Sequence, residues 1–376
     1  MEIKLLSKPK YNFNPGPATL PQTVLQKVQN EFLNYQNTGI SIIETSHRSK
    51  EFDNIINNAK QSLHKLLNIP ANYEILFMQG GASSQFSAIP LNLCTEFKDA
   101  TCDVLITGSW SEKAAKEFSK YINVNIAWSG KKNNYITIGD KEQWNLDKNA
   151  SFLYYCSNET IHGVEFPYIP KGYNHIPLIG DFSSNFLTEP INISKFGIIF
   201  AGAQKNVGPA GVTIVIIKKN LLNQFNKFCP TMLNYTIMAN KNSLYNTPPC
   251  FNIYVVNLVL EWIILEGGLE EMFDRKNIRG NMFYNLIDES SLYYSPVNMK
   301  YRSYINIRLS IGKTKYSILS NKFIEKSIEN NFIGLQGHRS LGGLRISLYN
   351  SQTMNSCNLL YKFMKQFHSE NNPNFP

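Results

Sequence analysis

Hydrophobic and polar positions in the first 250 residues follow two periods that alternate along the chain. Segments 21–35 and 52–67 carry apolar residues at helical spacing and predict amphipathic helices. Short apolar runs rich in β-branched residues predict strands at 73–78, 103–107, 152–156, 176–180, 198–201 and 212–217. Further helices are predicted at 83–91 and 111–121. Strands separated by segments of helix length indicate an α/β protein whose largely parallel sheet is covered by helices on both faces.

The pattern changes after Pro248 and Pro249. Long helical segments at 251–267 and 270–289 lead to shorter alternating segments at 304–309 and 343–349. This change predicts a large α/β domain over 16–255 and a smaller C-terminal α+β domain over 256–368, and we expect segment 1–15 to pack with the smaller domain. The polar tail 369–376 is expected to fray.

Composition narrows the class of protein. The chain has 376 residues, of which 43% are hydrophobic and 12% aromatic, and this excludes wholesale disorder. Its net charge of +9 suggests a basic nucleic-acid-binding protein, but the lysines and arginines are scattered and form no dense basic stripe. Abundant Asn, Lys, Ile and Tyr indicate instead a compositional bias that raises the lysine content of the surface. We therefore expect no nucleic-acid partner.

Cysteine spacing and hydropathy bear on compartment and metal binding. The six cysteines form no C-x-x-C pair and no zinc-type spacing with histidine, so we expect reduced cysteines and no metal site. The N-terminus lacks a signal-peptide pattern before Lys8 and Pro9, and the most apolar helical run, 254–265, is too short to cross a bilayer. The expectation is a cytoplasmic protein without a membrane partner.

Three segments at predicted strand ends carry candidate chemistry. In FMQGGASSQF (77–86), paired glycines and small hydroxyl residues before a helix suit an anion site, although an ordinary strand-to-helix turn has the same pattern. In IGDFSSNF (179–186), Asp181 follows a strand, where it is either a ligand-binding acid or a helix cap. In IIFAGAQKNVGPAG (198–211), Lys205 is either a surface lysine or a partly desolvated amine that can form a Schiff base. Together, an anion cradle, an acid and an amine suit pyridoxal phosphate.

Longer motifs carry a family resemblance. The chain resembles the phosphoserine aminotransferase family, whose members are class V, fold-type I pyridoxal-phosphate enzymes. The resemblance runs in order along nearly the whole chain, through NFNPGPATLP (12–21), ETSHRSKEF (44–52), the 80–85 loop, CSNETIHGVEF (156–166), the segment 180–216, YNTPPCFNIY (245–254) and GHRSLGGLRISLYN (337–350). It implies a fold-type I large domain with a smaller C-terminal domain.

The resemblance implies roles around the cofactor ring. Lys205 would bind the aldehyde of pyridoxal 5'-phosphate, and Asp181 would pair with the protonated ring nitrogen. Trp110, which by pattern alone is typical of a buried core aromatic, would stack on the ring. Thr160 would hydrogen-bond the phenolic oxygen.

The resemblance also implies a set of residues that bind the cofactor phosphate. The backbone amides of Ala82 and Ser83, together with Gln204, would hold the phosphate. Asn246 and Thr247 would reach it from the neighbouring subunit, which implies a homodimer.

For the substrate, the resemblance implies cationic contacts at both ends. His47, Arg48, His338 and Arg339 would bind the distal phosphate or carboxylate, and Arg345 would bind the α-carboxylate as a bidentate fork. Some family members have arginine at the position of Ser83, and this departure leaves the role of the Ser83 side chain open.

The implied reaction is the reversible transfer of an amino group between L-glutamate and 3-phosphohydroxypyruvate, which gives O-phospho-L-serine and 2-oxoglutarate. Formation of 4-phosphohydroxy-L-threonine in vitamin B6 synthesis is a related possibility. Alternatives are another class V activity, such as alanine–glyoxylate transamination or cysteine desulfuration, and the basic nucleic-acid-binding protein considered above. Desulfuration needs a catalytic cysteine on a mobile loop, and none of the six cysteines stands out in such a segment.

Overall fold

A computed structural model of the protein describes residues 10–312 and 318–371. Residues 1–9 of the predicted N-terminal segment and 372–376 of the predicted frayed tail lie outside the described residues. The α-helices of the described chain are α1 (Gln22–Glu31), α2 (Lys50–Leu67), α3 (Gly81–Leu93), α4 (Ser109–Phe118), α5 (Tyr235–Asn240), α6 (Cys250–Leu265), α7 (Gly268–Asp288), α8 (Ile318–Glu329) and α9 (Met354–Asn371).

The strands are β1 (Tyr11–Asn12), β2 (Tyr73–Met78), β3 (Thr101–Ile106), β4 (Asn123–Ser129), β5 (Leu153–Cys156), β6 (Asn158–Glu159), β7 (Val164–Glu165), β8 (Leu178–Asp181), β9 (Ile198–Gly202), β10 (Thr213–Lys218), β11 (Tyr293–Tyr294), β12 (Asn306–Ile311), β13 (Phe332–Ile333) and β14 (Leu344–Ser347). Short 3-10 helices lie at Tyr35–Asn37, Ile42–Glu44, Lys131–Asn133, Lys141–Gln143, Ile193–Lys195, Lys219–Leu221, Thr231–Leu233 and Met299–Tyr301.

A seven-stranded central sheet organises the first part of the chain. Its strand order is β2-β10-β9-β8-β5-β3-β4, and β10 runs antiparallel to both of its neighbours while the other strand pairs are parallel. Alternate residues of each strand face two separate apolar cores, one shared with α2 and α6 and the other with α3 and α4. The predicted mostly parallel α/β architecture is therefore confirmed, because both faces of the sheet are buried under helices.

The structure differs from the sequence prediction at α1 and β4, among other elements. The helix predicted over 21–35 ends at Glu31, and the chain then turns through Gln36 and Asn37, whose φ angles of 45° and 62° are not helical. Strand β4 was not predicted from the sequence. It is an edge strand that pairs only with β3 and leaves Ile126 53% exposed, so its apolar pattern is weak.

The C-terminal part of the chain forms a small antiparallel sheet in the order β11-β12-β14. One of its faces, with Ile307, Leu309 and Ile346, belongs to a third apolar core that α7 and α9 complete. Strand β1 pairs with β13, and Phe13 packs in the same core. Helix α7 contributes its first residues to a core of the central sheet and its last turns to the third core. The boundary at 255–256 therefore stays a prediction.

The length and hydropathy of the described helices bear on whether they could cross a membrane. No one of them is long and apolar enough to cross a membrane by itself, and only α6 and α7 taken together reach the required length and composition, across a bend of 83°.

Candidate active site

A cavity of about 220 Å³ opens at the carboxyl ends of β2, β5, β8 and β9. Open α/β sheets bind ligands at this edge. Six of the residues predicted from the sequence line this Lys205 cavity, namely Ala82, Ser83, Trp110, Asp181, Gln204 and Lys205. A seventh, Thr160, joins them through a hydrogen bond to Lys205.

Lys205 lies in the loop after β9, where small residues let the chain turn beneath the cavity. Its Nζ donates a hydrogen bond to Thr160 Oγ1 at 2.6 Å and lies 5.3 Å from the centre of the Trp110 ring. Burial lowers the pKa of the Lys205 amine, and the charge of nearby Asp181 partly opposes that shift. A lysine in this setting is more easily deprotonated, and so more nucleophilic, than a surface lysine.

Asp181 is the last residue of β8 and is only 4% exposed. Its Oδ1 accepts a hydrogen bond from the Ser183 amide at 2.9 Å. Burial raises the pKa of the Asp181 carboxyl, while the Ser183 hydrogen bond and the charge of Lys205 oppose that change. The site therefore holds a buried acid that a cationic group entering the cavity would stabilise in its charged form.

The glycine-rich loop at the start of α3 forms a candidate anion cradle. Gly80 and Gly81 have φ angles of 88° and 63°, and a Cβ on Gly80 would lie 1.8 Å from Ser84 Oγ, so this turn requires glycine at position 80. The first amides of α3 have no intrahelical acceptor, and the helix dipole favours negative charge there. Ser83 Oγ accepts a hydrogen bond from Lys113 Nζ at 2.9 Å, which adds a cation beside the cradle.

Trp110 is held by a residue that the sequence reasoning missed. Glu159 is fully buried, and its carboxylate accepts hydrogen bonds from the amides of Trp110 and Ser111 at 3.0 and 2.9 Å and from Ser111 Oγ at 2.6 Å. Because burial raises the pKa of Glu159, these donors to its carboxylate are needed to keep it charged. Trp110 Nε1 is buried without a hydrogen-bond partner in the described structure, so an indole N–H remains available to a ligand.

Arg345 approaches the site from the small sheet. It lies on β14, is 7% exposed and donates from Nη1 to the carbonyl oxygen of Thr160 at 3.3 Å. Its Nε has no hydrogen-bond partner among the described residues, and burial lowers the pKa of its guanidinium. The guanidinium of Arg345 therefore keeps hydrogen-bond donors that could bind a carboxylate.

His338 and Arg339 precede β14 but do not line the Lys205 cavity. His338 is half-buried, its Nδ1 lies 2.7 Å from Ser340 Oγ, and Arg339 is exposed. Burial, together with the charges of Arg345 and Arg339, lowers the pKa of His338. The lowered pKa favours the neutral form of His338, so the positive charge of this pair lies mainly on Arg339, outside the Lys205 cavity.

The remaining predicted residues lie elsewhere on the same chain. His47 and Arg48 line a separate surface cavity of about 410 Å³, together with Leu244. Asn246 and Thr247 follow Leu244 and are exposed. Within one chain, the structure therefore does not bring these four residues to Lys205.

Lys113 and Glu159 are among the neighbours of the cavity that sequence reasoning overlooked, as are the lining residues Cys156, Asn158, Ser183 and Ser184. Lys113 is one helical turn beyond Trp110 on α4, a spacing that places the two side chains on the same face, with Lys113 Nζ 5.4 Å from the ring centre. Glu159 lies directly before Thr160 in the SNET motif, but nothing in the sequence indicates that it caps a helix 48 residues away.

Comparison with known proteins agrees with this geometry. Residues 10–360 match the family model of class-V aminotransferases, and the chain belongs to that family. It is 46% identical over 368 residues to a probable phosphoserine aminotransferase of Caenorhabditis elegans, which covers 97% of this chain and 98% of the relative. It is 45% identical over 361 residues to phosphoserine aminotransferase of Bacillus cereus strain ZK / E33L, with 96% and 99% covered.

Solved structures give the same result. The phosphoserine aminotransferase from Bacillus circulans subsp. alkalophilus superposes with a TM-score of 0.93 at 42% identity, over 97% of this chain and 99% of that one. The pyridoxal-phosphate-bound phosphoserine aminotransferase from Trichomonas vaginalis gives 0.90 at 37% identity, over 95% and 99%. The architecture is that of the fold-type I pyridoxal-phosphate aminotransferases, as the sequence indicated.

Proposed function

We propose that the chain is a pyridoxal-phosphate-dependent transaminase that moves an amino group between L-glutamate and 3-phosphohydroxypyruvate, giving O-phospho-L-serine and 2-oxoglutarate. The single observation that carries this proposal is the Lys205 cavity, in which a partly buried amine, a buried acid and a helix start meet. The names of the similar proteins support the choice of substrate pair.

The residues of the cavity fit pyridoxal phosphate. Trp110 supplies a buried indole N–H without a partner and an aromatic face beside Lys205. The amides of Ala82 and Ser83, with Gln204, would hold the cofactor phosphate at the start of α3. When bound, the cofactor supplies an electron sink for the carbanion formed at the substrate's α-carbon.

Lys205 and Asp181 would have different chemical roles in the cavity. Lys205 would bind the cofactor aldehyde, and its amine, once released, moves the proton at the substrate's α-carbon. Asp181 would keep the ring nitrogen of the bound cofactor protonated, because its buried charge favours a cation beside it. Thr160 Oγ1, which accepts from Lys205 Nζ, would then be free to hydrogen-bond the cofactor's phenolic oxygen.

The two ends of the substrate meet cations. The unpartnered donors of Arg345 suit the α-carboxylate. His338 and Arg339 would contact the distal phosphate or carboxylate, and Lys113 adds a charge where some relatives have an arginine in place of Ser83.

We further propose that the active assembly is a homodimer in which His47, Arg48, Asn246 and Thr247 complete the site of the other subunit. Their position away from Lys205 of the same chain supports this arrangement. Neighbouring segments expose large apolar side chains, with Leu33 80%, Ile43 54% and Tyr245 50% exposed, as expected of a surface covered by a partner.

Subunit mixing tests the dimer directly. K205A and R48M each inactivate a site, but a heterodimer of the two has one site with both residues intact, if Arg48 acts across the interface. Random reassociation of equal amounts should restore about a quarter of wild-type activity, because half of the dimers are mixed and each has one intact site. Mixing K205A with D181N is the matched control, because both residues serve the same chain's site, and this mixture should stay inactive. No recovery in the first mixture would contradict the proposed dimer.

The transaminase assignment has its own test. Wild-type protein saturated with pyridoxal phosphate should convert glutamate and 3-phosphohydroxypyruvate to 2-oxoglutarate and phosphoserine, and K205A should show no turnover. K195A is the control, since Lys195 is an exposed lysine outside the cavity. Full turnover by K205A would refute the assignment.

We place the protein in the cytoplasm. All six cysteines are unpaired, as in proteins kept under reducing conditions.

A further inference from the structure

A second and larger cavity, of about 680 Å³, lies between the start of α4 and the small sheet. We name it the Arg308 cavity, and the lining residues used below are Ser109, Lys131, His162 and Arg308. Ser109 lines this cavity and the next residue, Trp110, lines the Lys205 cavity. The two cavities therefore lie on either side of the first turn of α4.

Strand pairing sets Arg308 beside Arg345. In the antiparallel pair of β12 and β14, Arg308 is directly opposite Arg345, so the two side chains leave the same face of the small sheet. Their strand neighbours Ile307, Leu309 and Ile346 point into the third core on the opposite face. A second guanidinium thus faces the central sheet beside the one proposed to bind the α-carboxylate.

Among the described residues that line the cavity, Arg308 has no acidic side chain to compensate its charge. Its Nη1 is buried without a hydrogen-bond partner, and burial lowers the pKa of its guanidinium. No Asp or Glu lines the cavity in the described part of the chain. Like charges directly opposite on a sheet are destabilising, and a buried charge without a partner is more so. The arginine therefore lowers stability in the empty protein, as groups retained for ligand binding often do.

The loop after β6 fixes the stem of this arginine. Gly163 has a φ angle of 70°, and a Cβ there would lie 3.0 Å from Arg308 Cβ and 2.8 Å from the Asn306 carbonyl oxygen. Because the backbone of this loop packs directly on β12, the Arg308 side chain is confined at its base. Such confinement reduces the entropy that the guanidinium would lose on binding a ligand.

The other polar groups of the cavity also donate. His162 is 2% exposed, its Nδ1 accepts a hydrogen bond from the Ser109 amide at 3.3 Å, and its pKa is lowered to about 3 by burial and by the charges of Arg308 and His338. It is therefore neutral near pH 7 and carries its proton on Nε2 as a donor. Lys131 adds a cation, although its Nζ also pairs with Glu112 at 2.6 Å.

We propose that the Arg308 cavity is a second anion-binding subsite, which takes a carboxylate or phosphate group of the small dianionic acids used in the reaction and lies next to the Arg345 position. This inference rests on the proposed function for the identity of the acids. It does not rest on it for the binding of an oxyanion, which follows from the donors alone. Arg308 is a substrate-positioning residue in this account.

The test measures binding without turnover. Inorganic phosphate and, separately, succinate are titrated by calorimetry into holoenzyme of the wild type, R308M, R308K, R345M and the R308M/R345M double variant. K132M is the matched control, because Lys132 neighbours Lys131 but does not line the cavity. We expect R308M to weaken binding of at least one of the two anions at least tenfold, R308K to recover part of it, and K132M to match the wild type. R345M should retain an anion-binding class that the double variant loses.

Which anion is affected identifies the ligand group. Loss of phosphate binding alone supports a phosphate subsite, and loss of succinate binding alone supports a carboxylate subsite. Unchanged titration of both anions in R308M overturns the proposal. Because the titrations themselves measure no catalysis, a failure of the transaminase assignment leaves their outcomes intact.

Stability separates binding from a structural role. Removing an uncompensated guanidinium should leave the melting temperature of R308M equal to or above that of the wild type. In steady-state assays R308M should raise KM more than it lowers kcat. A lower melting temperature that R308K does not restore would show that Arg308 is structural, and this would also overturn the proposal.

Discussion

Acid sensitivity of the fold should depend strongly on His162. This side chain stays neutral in the folded protein because burial lowers its pKa to about 3, whereas an unfolded histidine titrates near 6.5. Between these two values the unfolded state binds a proton that the folded state does not. By linkage, the free energy of unfolding contributed by this residue is full above pH 6.5 and is lost as the pH falls towards 3.

The structure sets the size of the effect. For pKa values of about 3 and 6.5, the loss between pH 7.5 and pH 5.0 is about 2 kcal/mol. The perturbation is H162Q, in which the amide oxygen can still accept the Ser109 amide hydrogen bond but the side chain does not titrate. Urea unfolding of both proteins, equally loaded with cofactor, should show the wild type losing about 2 kcal/mol more than H162Q over this range. Parallel losses within about 0.5 kcal/mol would refute the reasoning, because His162 would then titrate normally in the fold.

Three further predictions follow from the Lys205 cavity. D181N should lower kcat about 100-fold or more, because the charge that faces the ring nitrogen is lost. The melting temperature should change little, because the asparagine oxygen can still accept the hydrogen bond from the Ser183 amide. Steady-state kinetics and thermal melts check these two results. E159Q should reduce the free energy of unfolding by about 2 kcal/mol, because the NH2 group of the glutamine would face a backbone N–H donor at the start of α4 in place of a carboxylate oxygen. Urea unfolding measures this loss. In cofactor-free protein, the wild type should gain stability relative to K205M as the pH rises towards 10.5. Burial lowers the folded-state pKa of Lys205, so the unfolded state binds more protons in this pH range. Urea unfolding at a series of pH values tests whether the free energy of unfolding rises or falls.

The central sheet was predictable where its strands are buried on both faces. β9 lies inside the sheet, and β2 is an edge strand that is nevertheless buried at five of its six residues. Both appear in the sequence as mainly apolar runs, and their ends lie within one residue of the predicted ones. β4 was missed because only one of its seven residues is buried, so its sequence has no fully buried run. The end of α1 was misplaced because apolar residues continue at helical spacing through Phe32 and Leu33 after the helix has ended.

The position of a candidate site residue was predictable where the residue follows a strand end, and unpredictable where it depends on strand register or on contacts between distant segments. Asp181 and Lys205 follow apolar runs, so their convergence could be expected. Glu159 and Lys113 act through contacts that span 48 and 30 residues, and these follow only from the folded packing. Arg308 lies opposite Arg345 because β12 pairs with β14, and the sequence does not specify this pairing.

The central claim is transamination of a phosphorylated keto acid by this cationic site. The most direct measurement is the ratio of kcat/KM for 3-phosphohydroxypyruvate to that for hydroxypyruvate, with glutamate as the amino donor and glyoxylate as a third acceptor. A site that pairs several cations with the distal phosphate should favour the phosphorylated acceptor by about 1,000-fold or more, because the charge-assisted hydrogen bonds to the phosphate are lost when the phosphate is absent. Equal kcat/KM values for the two hydroxy acids, or a preference for glyoxylate, would contradict the account.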